Sequence, residues 1–422
     1  MNRHIQRTVI GLVLAGVFAG ALGAGALPAN SQEDDSALLV AGNNAFAFDF
    51  YQRAAREGDA NLIFSPFSIS QAFGMLLAAA RGDTAQQITS ALQYGLAPDD
   101  LHPAFAALNS SLAERGGAEG AGEGERLQLN IANSLWAQQD YPFREAYIDL
   151  VREFYSGGLF FTDFMRLPDE AREAINAWIE DETEDKIQDM LGPGSVTTDT
   201  RMVLVNAIYF NGSWLNPFEE SATQDDTFAL LDGSTVTVPM MAQQESLAYL
   251  QGDGFQAVEL PYFGGDVAML IVLPDEGQFE AVQSALDQQQ FDAIRQSLAF
   301  QTVQLAMPRF EFETSLDLSA SLEALGMVDV FDPDLADLTG MFDPASVDQN
   351  LFVSAALHKA YIGVDEAGTE AAAATAIIVG VMSAPVEVEP IVLRLDRPFI
   401  YTIYDRQTGS ILFLGQVMNP AS

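Results

Sequence analysis

The sequence contains no cysteine, which excludes disulfide bonds and lipid attachment through a cysteine side chain. Basic residues are scarce as well: 19 Lys and Arg stand against 59 Asp and Glu, for a formal net charge of −40. Because polyanions bind to basic surfaces, this balance argues against nucleic acid and heparin as partners. The acidic charge favours solubility and suits a salty environment in which self-repulsion is screened.

Hydrolase motifs are also missing. Neither Gly-x-Ser-x-Gly nor His-Glu-x-x-His occurs, and the only histidines beyond the N-terminal segment are His102 and His358. Carboxylate pairs carry no weight, because 59 acidic residues produce them by chance. The sequence therefore predicts that the protein is not an enzyme, and it predicts neither a metal nor a cofactor.

Residues 1–29 have the features of a secretory signal peptide. Arg3 and Arg7 precede an uncharged stretch, 9–26, that is rich in Ala, Gly, Leu and Val. Ala26 and Ala29 each end a small-residue cleavage site. An uncleaved membrane anchor is the alternative, since the apolar stretch approaches the length of a membrane span. The glycine content and the polar linker that we predict at 30–37 favour export, which would make the protein extracellular.

The remainder, 38–420, contains no internal repeat and no interdomain linker, so we expect a single domain. Residues 116–125 are rich in Gly and Glu and predict an acidic surface loop. Helices are expected first, at 38–55, 68–80, 84–92, 140–154 and 170–183. Strands follow, at 202–210, 257–260, 267–273, 302–307, 391–394, 399–404 and 411–417. This order predicts an α+β fold with more than one sheet.

The segment 366–378 is the most informative. Gly368 and Thr369 lead into Glu370 and four alanines, and the run ends in β-branched residues. An alanine run is usually helical, but the glycine and the β-branched end argue against a permanent helix. At a period of two, one face carries Thr369 and only uncharged residues after it. Such a segment can be an exposed loop and can also enter a packed sheet as a strand.

This segment resembles the hinge and reactive-centre loop of the serpins. Further motifs resemble that family in the same order along the chain: 61–70, 82–84, 204–214, 259–262, 269–274, 357–366, 396–399 and 413–420. The resemblance implies the serpin fold, with N-terminal helices on a large central mixed β-sheet, smaller sheets and an exposed reactive-centre loop at about 366–390. It also implies hinge residues at Glu366, Gly368, Thr369, Glu370, Ala371, Ala372, Ala373 and Ala374.

The resemblance assigns two further groups of residues. A shutter, the hydrogen-bonded cluster that controls opening of the sheet, is implied at Ser65, Ser68, Asn206 and His358. Two hydroxyls, an amide and an imidazole can satisfy one another when they are buried. Trp214 is implied in the breach, beneath the top of the opening sheet. Here His358 would hold strands together and would not transfer protons.

Counted from Gly368 as in antitrypsin-type serpins, the reactive bond falls between Met382 and Ser383. A flexible apolar methionine fits elastase-, chymotrypsin- or subtilisin-like serine proteases, and no Lys or Arg between Lys359 and Arg394 offers a trypsin-like site. The loop is about five residues longer than in that type, so cleavage after Val381 or Ala384 stays open.

The implied function is suicide inhibition: a covalent complex with the target protease, with insertion of 369–382 as a strand. The inhibitor itself is expected to be a monomer. A non-inhibitory serpin, acting as carrier, storage protein or chaperone, is the alternative.

Overall fold

The computed structural model describes residues 29–55, 60–115, 127–155, 158–347, 350–369 and 389–422. In these ranges the helices are α1 (Ala29–Ala54), α2 (Pro66–Ala79), α3 (Gly82–Ala91), α4 (Pro98–Arg115), α5 (Glu145–Phe154), α6 (Pro168–Glu182), α7 (Phe279–Ala285), α8 (Gln288–Ser297) and α9 (Leu318–Ala324). The first six precede most of the strands, as the sequence predicts.

The strands are β1 (Leu62–Phe64), β2 (Leu127–Gln138), β3 (Leu159–Thr162), β4 (Met202–Ser213), β5 (Gln224–Ala229), β6 (Thr235–Gln251), β7 (Phe255–Pro261), β8 (Val267–Pro274), β9 (Ala299–Pro308), β10 (Phe310–Asp317), β11 (Ala356–Val364), β12 (Gly368–Thr369), β13 (Ile391–Arg394), β14 (Phe399–Asp405) and β15 (Ile411–Val417). Together with the helices they confirm the predicted α+β fold.

Two of the differences from the predicted helices concern α1 and α4. Residues 30–37, predicted as a linker, belong to α1, although five of these eight residues are Asn, Ser or Asp, which have a low helix propensity. Burial in α1 becomes regular only from Leu39 onward. Helix α4 was not predicted, because Pro103 inside it is typical of a helix break.

A six-stranded sheet has the order β10-β11-β12-β4-β2-β3. It is mixed: β11 runs parallel to β4 and β3 runs parallel to β2, whereas β2 is antiparallel to β4. The two-residue strand β12 separates β11 from β4 at one end only, since β11 also pairs directly with β4 further along. This sheet carries the candidate site.

The other sheet has nine strands in the order β1-β15-β14-β8-β7-β6-β9-β13, with β5 added to β6. It is larger than the smaller sheets that the resemblance implies, because the 17-residue strand β6 pairs with β5, β7 and β9 in turn. One strand thus joins what would otherwise be separate sheets.

Two apolar clusters hold these layers together. The main one joins the first helices to both sheets, and α2 is buried along almost its whole length. The second lies between α6, the connection that follows it and the six-stranded sheet. It includes Ile187 and Leu191 from the connection and Val205 from β4, and the partly buried Leu357 of β11 packs against it. Among the described helices, none combines the length and apolar character needed to cross a bilayer.

Candidate functional site

The candidate site is the seam between β4 and β11. At one end the two strands pair directly, with Ala356–Ala360 of β11 beside Leu204–Ile208 of β4. At the other end β12 lies between them and is antiparallel to both: Thr369 is opposite Gly212 of β4 and Val364 of β11. The seam is therefore closed at one end and already occupied by a short strand at the other.

At the closed end, His358 is hydrogen-bonded through both ring nitrogens. Its Nε2 accepts a hydrogen bond of 3.1 Å from the Ser65 backbone N–H, and its Nδ1 contacts Asn206 Oδ1. Because Nε2 accepts, the arrangement assigns the proton of the neutral ring to Nδ1, which donates to Asn206. Burial lowers the pKa of His358 from 6.5 to about 3. The ring stays neutral near pH 7, as suits a residue that holds two strands together.

The amide of Asn206 connects this histidine to helix α2 and strand β2. Its Nδ2 donates to Ser68 Oγ and to Asn133 Oδ1, both at 2.8 Å. Ser68 Oγ in turn donates to Asn133 Oδ1 at 2.7 Å, and Ser65 Oγ caps α2 by accepting from the Ser68 N–H. The structure thus brings together Ser65, Ser68, Asn206 and His358.

Asn133 is a member of this cluster that sequence reasoning missed. Its Nδ2 also donates to the Ser68 carbonyl at 3.1 Å and to Gln71 Oε1 at 2.8 Å. The sequence alone gives no signal that singles it out, because β2 contains other polar residues, among them Asn130 and Ser134.

At the other end of the seam, Trp214 and Tyr262 support β12. Their rings stack with centroids 4.6 Å apart, and the Tyr262 hydroxyl shares a hydrogen bond of 2.6 Å with Thr369 Oγ1. The Trp214 backbone N–H donates to the Ala367 carbonyl, and its Nε1–H donates to the Asp365 carbonyl at 3.1 Å. Trp214 therefore lies directly beneath the hinge, where the resemblance places the breach tryptophan.

Glu366 fixes the approach to β12. Its carboxylate pairs with Arg309 at 2.5 Å and accepts from the Thr223 hydroxyl. Burial opposes ionisation of Glu366, but the hydrogen bonds from Arg309 and Thr223 outweigh it and lower the pKa of the carboxyl. The neighbouring Asp365 accepts from the backbone N–H groups of Ala367 and Gly368.

Glycine is the only residue type that fits at position 368 in β12. A Cβ atom there would lie 2.1 Å from the Gly212 carbonyl oxygen and 2.7 Å from Ser213 Cα. These are backbone atoms that cannot turn aside, so any side chain would push β12 off β4. The requirement for glycine here comes from close backbone approach and not from an unusual φ angle.

A serpin family model, described as serine protease inhibitor, matches residues 41–420. The chain belongs to the serpin family. It is 39 % identical to an uncharacterized serpin-like protein of Thermococcus kodakarensis, over 92 % of this chain and 87 % of the relative. It is 38 % identical to the leukocyte elastase inhibitor of Bos taurus, over 90 % of this chain and 99 % of that protein.

Solved structures agree with this assignment and confirm the serpin fold. Uncleaved ovalbumin superposes with a TM-score of 0.78 at 27 % identity, covering 90 % of this chain and 100 % of ovalbumin. Thyroxine-binding globulin in complex with thyroxine superposes with a TM-score of 0.77 at 30 % identity, covering 90 % and 99 %. Both inhibitor relatives and a ligand-binding serpin are therefore similar to this one.

The hinge of this serpin is divided by the boundary of the described residues. Glu366 and Thr369 are buried, with 4 % and 1 % of their surface exposed, so the exposed loop predicted from about 366 does not include them. Glu370, the four alanines Ala371–Ala374 and the predicted reactive bond Met382–Ser383 lie outside the described residues. The roles assigned to these residues stay predictions.

Proposed function

We propose that this serpin is a secreted suicide inhibitor of serine proteases with elastase-, chymotrypsin- or subtilisin-like specificity. The observation that carries the proposal is β12: the hinge backbone at Gly368–Thr369 already pairs with β4 and β11 in the antiparallel direction. The residues that follow it are small and uncharged except for Glu370. A strand that has begun between two others is poised to lengthen there.

The proposed reaction begins when the protease attacks the Met382 carbonyl carbon. An ester forms between that carbonyl and the catalytic serine oxygen of the protease, the Met382–Ser383 bond breaks, and the Ser383 amine leaves with a proton. The freed segment 369–382 then enters the seam. Fourteen extended residues span about 46 Å, so the attached protease is carried that far before it can hydrolyse the ester.

The test is to mix the purified protein with chymotrypsin, elastase, subtilisin and trypsin, and to analyse the products by denaturing gel and mass spectrometry. We expect a covalent complex with one or more of the first three, none with trypsin, and a released peptide that spans 383–422. Proteases with a blocked catalytic serine are the control. If active chymotrypsin, elastase and subtilisin all cleave the loop and none forms a covalent complex, inhibition is rejected.

A carrier, storage or chaperone role is the second candidate, supported by the similarity to thyroxine-binding globulin complexed with thyroxine. It predicts cleavage of the loop without a covalent complex.

Export is a separate part of the proposal: expression of the whole chain in a secreting host should yield a protein that begins at Leu27 or Asn30. Retention of residues 1–26 in the membrane fraction would favour the anchor.

A further inference from the structure

Two exposed apolar side chains lie on neighbouring strands of the nine-stranded sheet. Phe300 on β9 is 72 % exposed and Val392 on β13 is 61 % exposed, the highest values for large hydrophobic residues in the described ranges. Parallel pairing of β13 with β9 places Val392 beside Gln304. Because side chains alternate between the faces of a strand, Phe300 and Val392 share one face, about 14 Å apart.

On the opposite face of the same strands, Val303, Leu305 and Leu393 are at most 1 % exposed and point into the core. The outward face of β9 and β13 would ordinarily be polar, as it is at Gln304 and Arg394. A cleft of about 350 Å³ opens beside Phe300, and its walls combine Ala248, Leu298 and Tyr404 with the polar side chains of Glu259, Asp292, Arg295, Gln296 and Arg406. It is large enough to receive an apolar side chain from a partner.

This face adjoins the end of the reactive-centre loop. Strand β13 begins at Ile391, two residues after Glu389, where the described chain resumes. Ile391 lies opposite Val303, so the first residues of β9, including Phe300, extend beyond the start of β13 on the side from which the chain arrives. Phe300 therefore flanks the entrance to β13.

The length of the loop limits where a protease can sit. From Met382 to Glu389 the chain spans at most about 25 Å when fully extended. A compact protease of about 230 residues has a radius of gyration of about 17 Å and is thus about 45 Å across. A protease that binds Met382 in its active site is therefore held within about 25 Å of Glu389, close to this surface.

We propose that Phe300, Val392 and the cleft beside Phe300 form a second contact surface for the target protease. This inference rests on the proposed inhibitory function. The partner that fits is a serine protease with an apolar surface on the leaving-group side of its active site, because 383–389 follow the reactive bond. The surface selects among proteases that all accept methionine at that bond.

The first test compares rates of inhibition. We expect Phe300→Ser and Val392→Ser each to lower the second-order rate constant at least about fivefold, the effect of truncating an interface residue of moderate importance. The stoichiometry of inhibition should not change, because insertion is untouched. Phe161→Ser is the matched control: Phe161 is 41 % exposed but lies on β3 of the other sheet. An unchanged rate in the double variant would overturn the proposal.

The second test does not depend on covalent trapping. The natural chain has no cysteine, so Phe300→Cys introduces a single thiol. We expect subtilisin or chymotrypsin with its catalytic serine replaced by alanine to slow the reaction of this thiol with a maleimide, while the thiol of Phe161→Cys reacts unchanged. Equal reactivity with and without protease would reject the contact surface.

Together the two tests separate the possible failures. A wild-type protein that traps no protease refutes the proposed function, and the labelling result then decides on docking alone. If the double variant traps protease at an unchanged rate, the proposed inhibition stands and the proposed contact surface is rejected.

Discussion

At the level of His358, β4 and β11 pair directly and are also joined by side chains, whereas at the level of Thr369 the backbone of β12 lies between them. The shutter joins α2, β2, β4 and β11 through one polar cluster whose histidine is fully buried. The breach instead inserts two residues between the same strands and supports them with stacked aromatic rings. We therefore expect the proposed insertion to begin at the breach and to be resisted at the shutter.

The largest effect of a substitution is expected at Thr369, the first inward residue of the segment that we propose to insert. Thr369→Arg would place a charge in a site that is 1 % exposed and contacts Tyr262. Because a buried unpaired charge is very costly, we expect insertion to stall and the inhibitor to become a substrate. Denaturing gels measure this as loss of covalent complex, and Thr369→Ser, which keeps the hydroxyl, is the control. Persistent complex formation by Thr369→Arg would refute the assignment.

At the shutter, the corresponding change is Asn206→Ala. It leaves the Nδ1–H of His358 and an acceptor in the Ser68–Asn133 pair without their partner, and each buried unpaired group costs about 1–3 kcal/mol. We expect the free energy of unfolding to fall by about 3 kcal/mol, seen as a lower thermal midpoint and faster polymerisation on native gels.

Asn130→Ala is the matched control for that variant, because Asn130 lies on the same strand β2 and its side chain donates an exposed hydrogen bond to the Glu182 carbonyl, away from the cluster at Asn206. Equal midpoints for the two variants would show that the cluster at Asn206 does not hold the seam.

A smaller effect is expected at Gly368, where a methyl group would collide with the backbone of Gly212. Gly368→Ala should displace β12, remove the hydrogen-exchange protection of the Thr369 amide and raise the stoichiometry of inhibition. Gly95→Ala is the control, since a Cβ atom at Gly95 meets open space. Retained protection at Thr369 in Gly368→Ala would contradict the crowding argument.

The gentlest change is pH. Burial lowers the pKa of His358 to about 3, so the unfolded chain binds a proton between about pH 6.5 and 3 that the native protein does not. The neutral, buried His358 therefore contributes its full stabilisation above pH 6.5. Below that pH, the free energy of unfolding declines by up to about 1.4 kcal/mol per pH unit on acidification.

The measurement compares urea unfolding midpoints of wild type and His358→Gln at pH 7 and pH 5. The wild type should lose more stability than the variant over this interval. His102, whose pKa burial lowers to about 4, acts in the same direction in both proteins and cancels in the comparison. An equal pH dependence would exclude titration of His358.

Sequence patterns predicted those parts of this fold that depend on local periodicity. Helix α2 and strands β4 and β8 have continuous apolar runs or caps that identify them. The shutter and breach residues were assigned through the serpin-like motifs, and the structure brings these residues together at one seam. Asn133 was missed because its role depends on register: it lies opposite Asn206 only once β2 pairs with β4.

Local sequence patterns could not predict the burial of the hinge residues either. Gly368 and Thr369 could be assigned to a loop or to a strand from sequence, and only their pairing with both β4 and β11 decides for the strand. The start of α1 was misjudged because Asn, Ser and Asp at 30–36 have a low helix propensity and are typical of a linker.

The pairing of Thr369 with Gly212 also sets the register of any strand that continues from β12 along β4. If the proposed insertion keeps this antiparallel register along β4, Thr375 arrives opposite Asn206 and Met382 opposite Asp199. The inserting strand then displaces His358 from its partner midway, and its last residue passes the start of β4 at Met202. A reactive bond at Met382–Ser383 would then use the sheet to its full length, and the ester of the proposed mechanism would emerge just beyond the edge of the sheet.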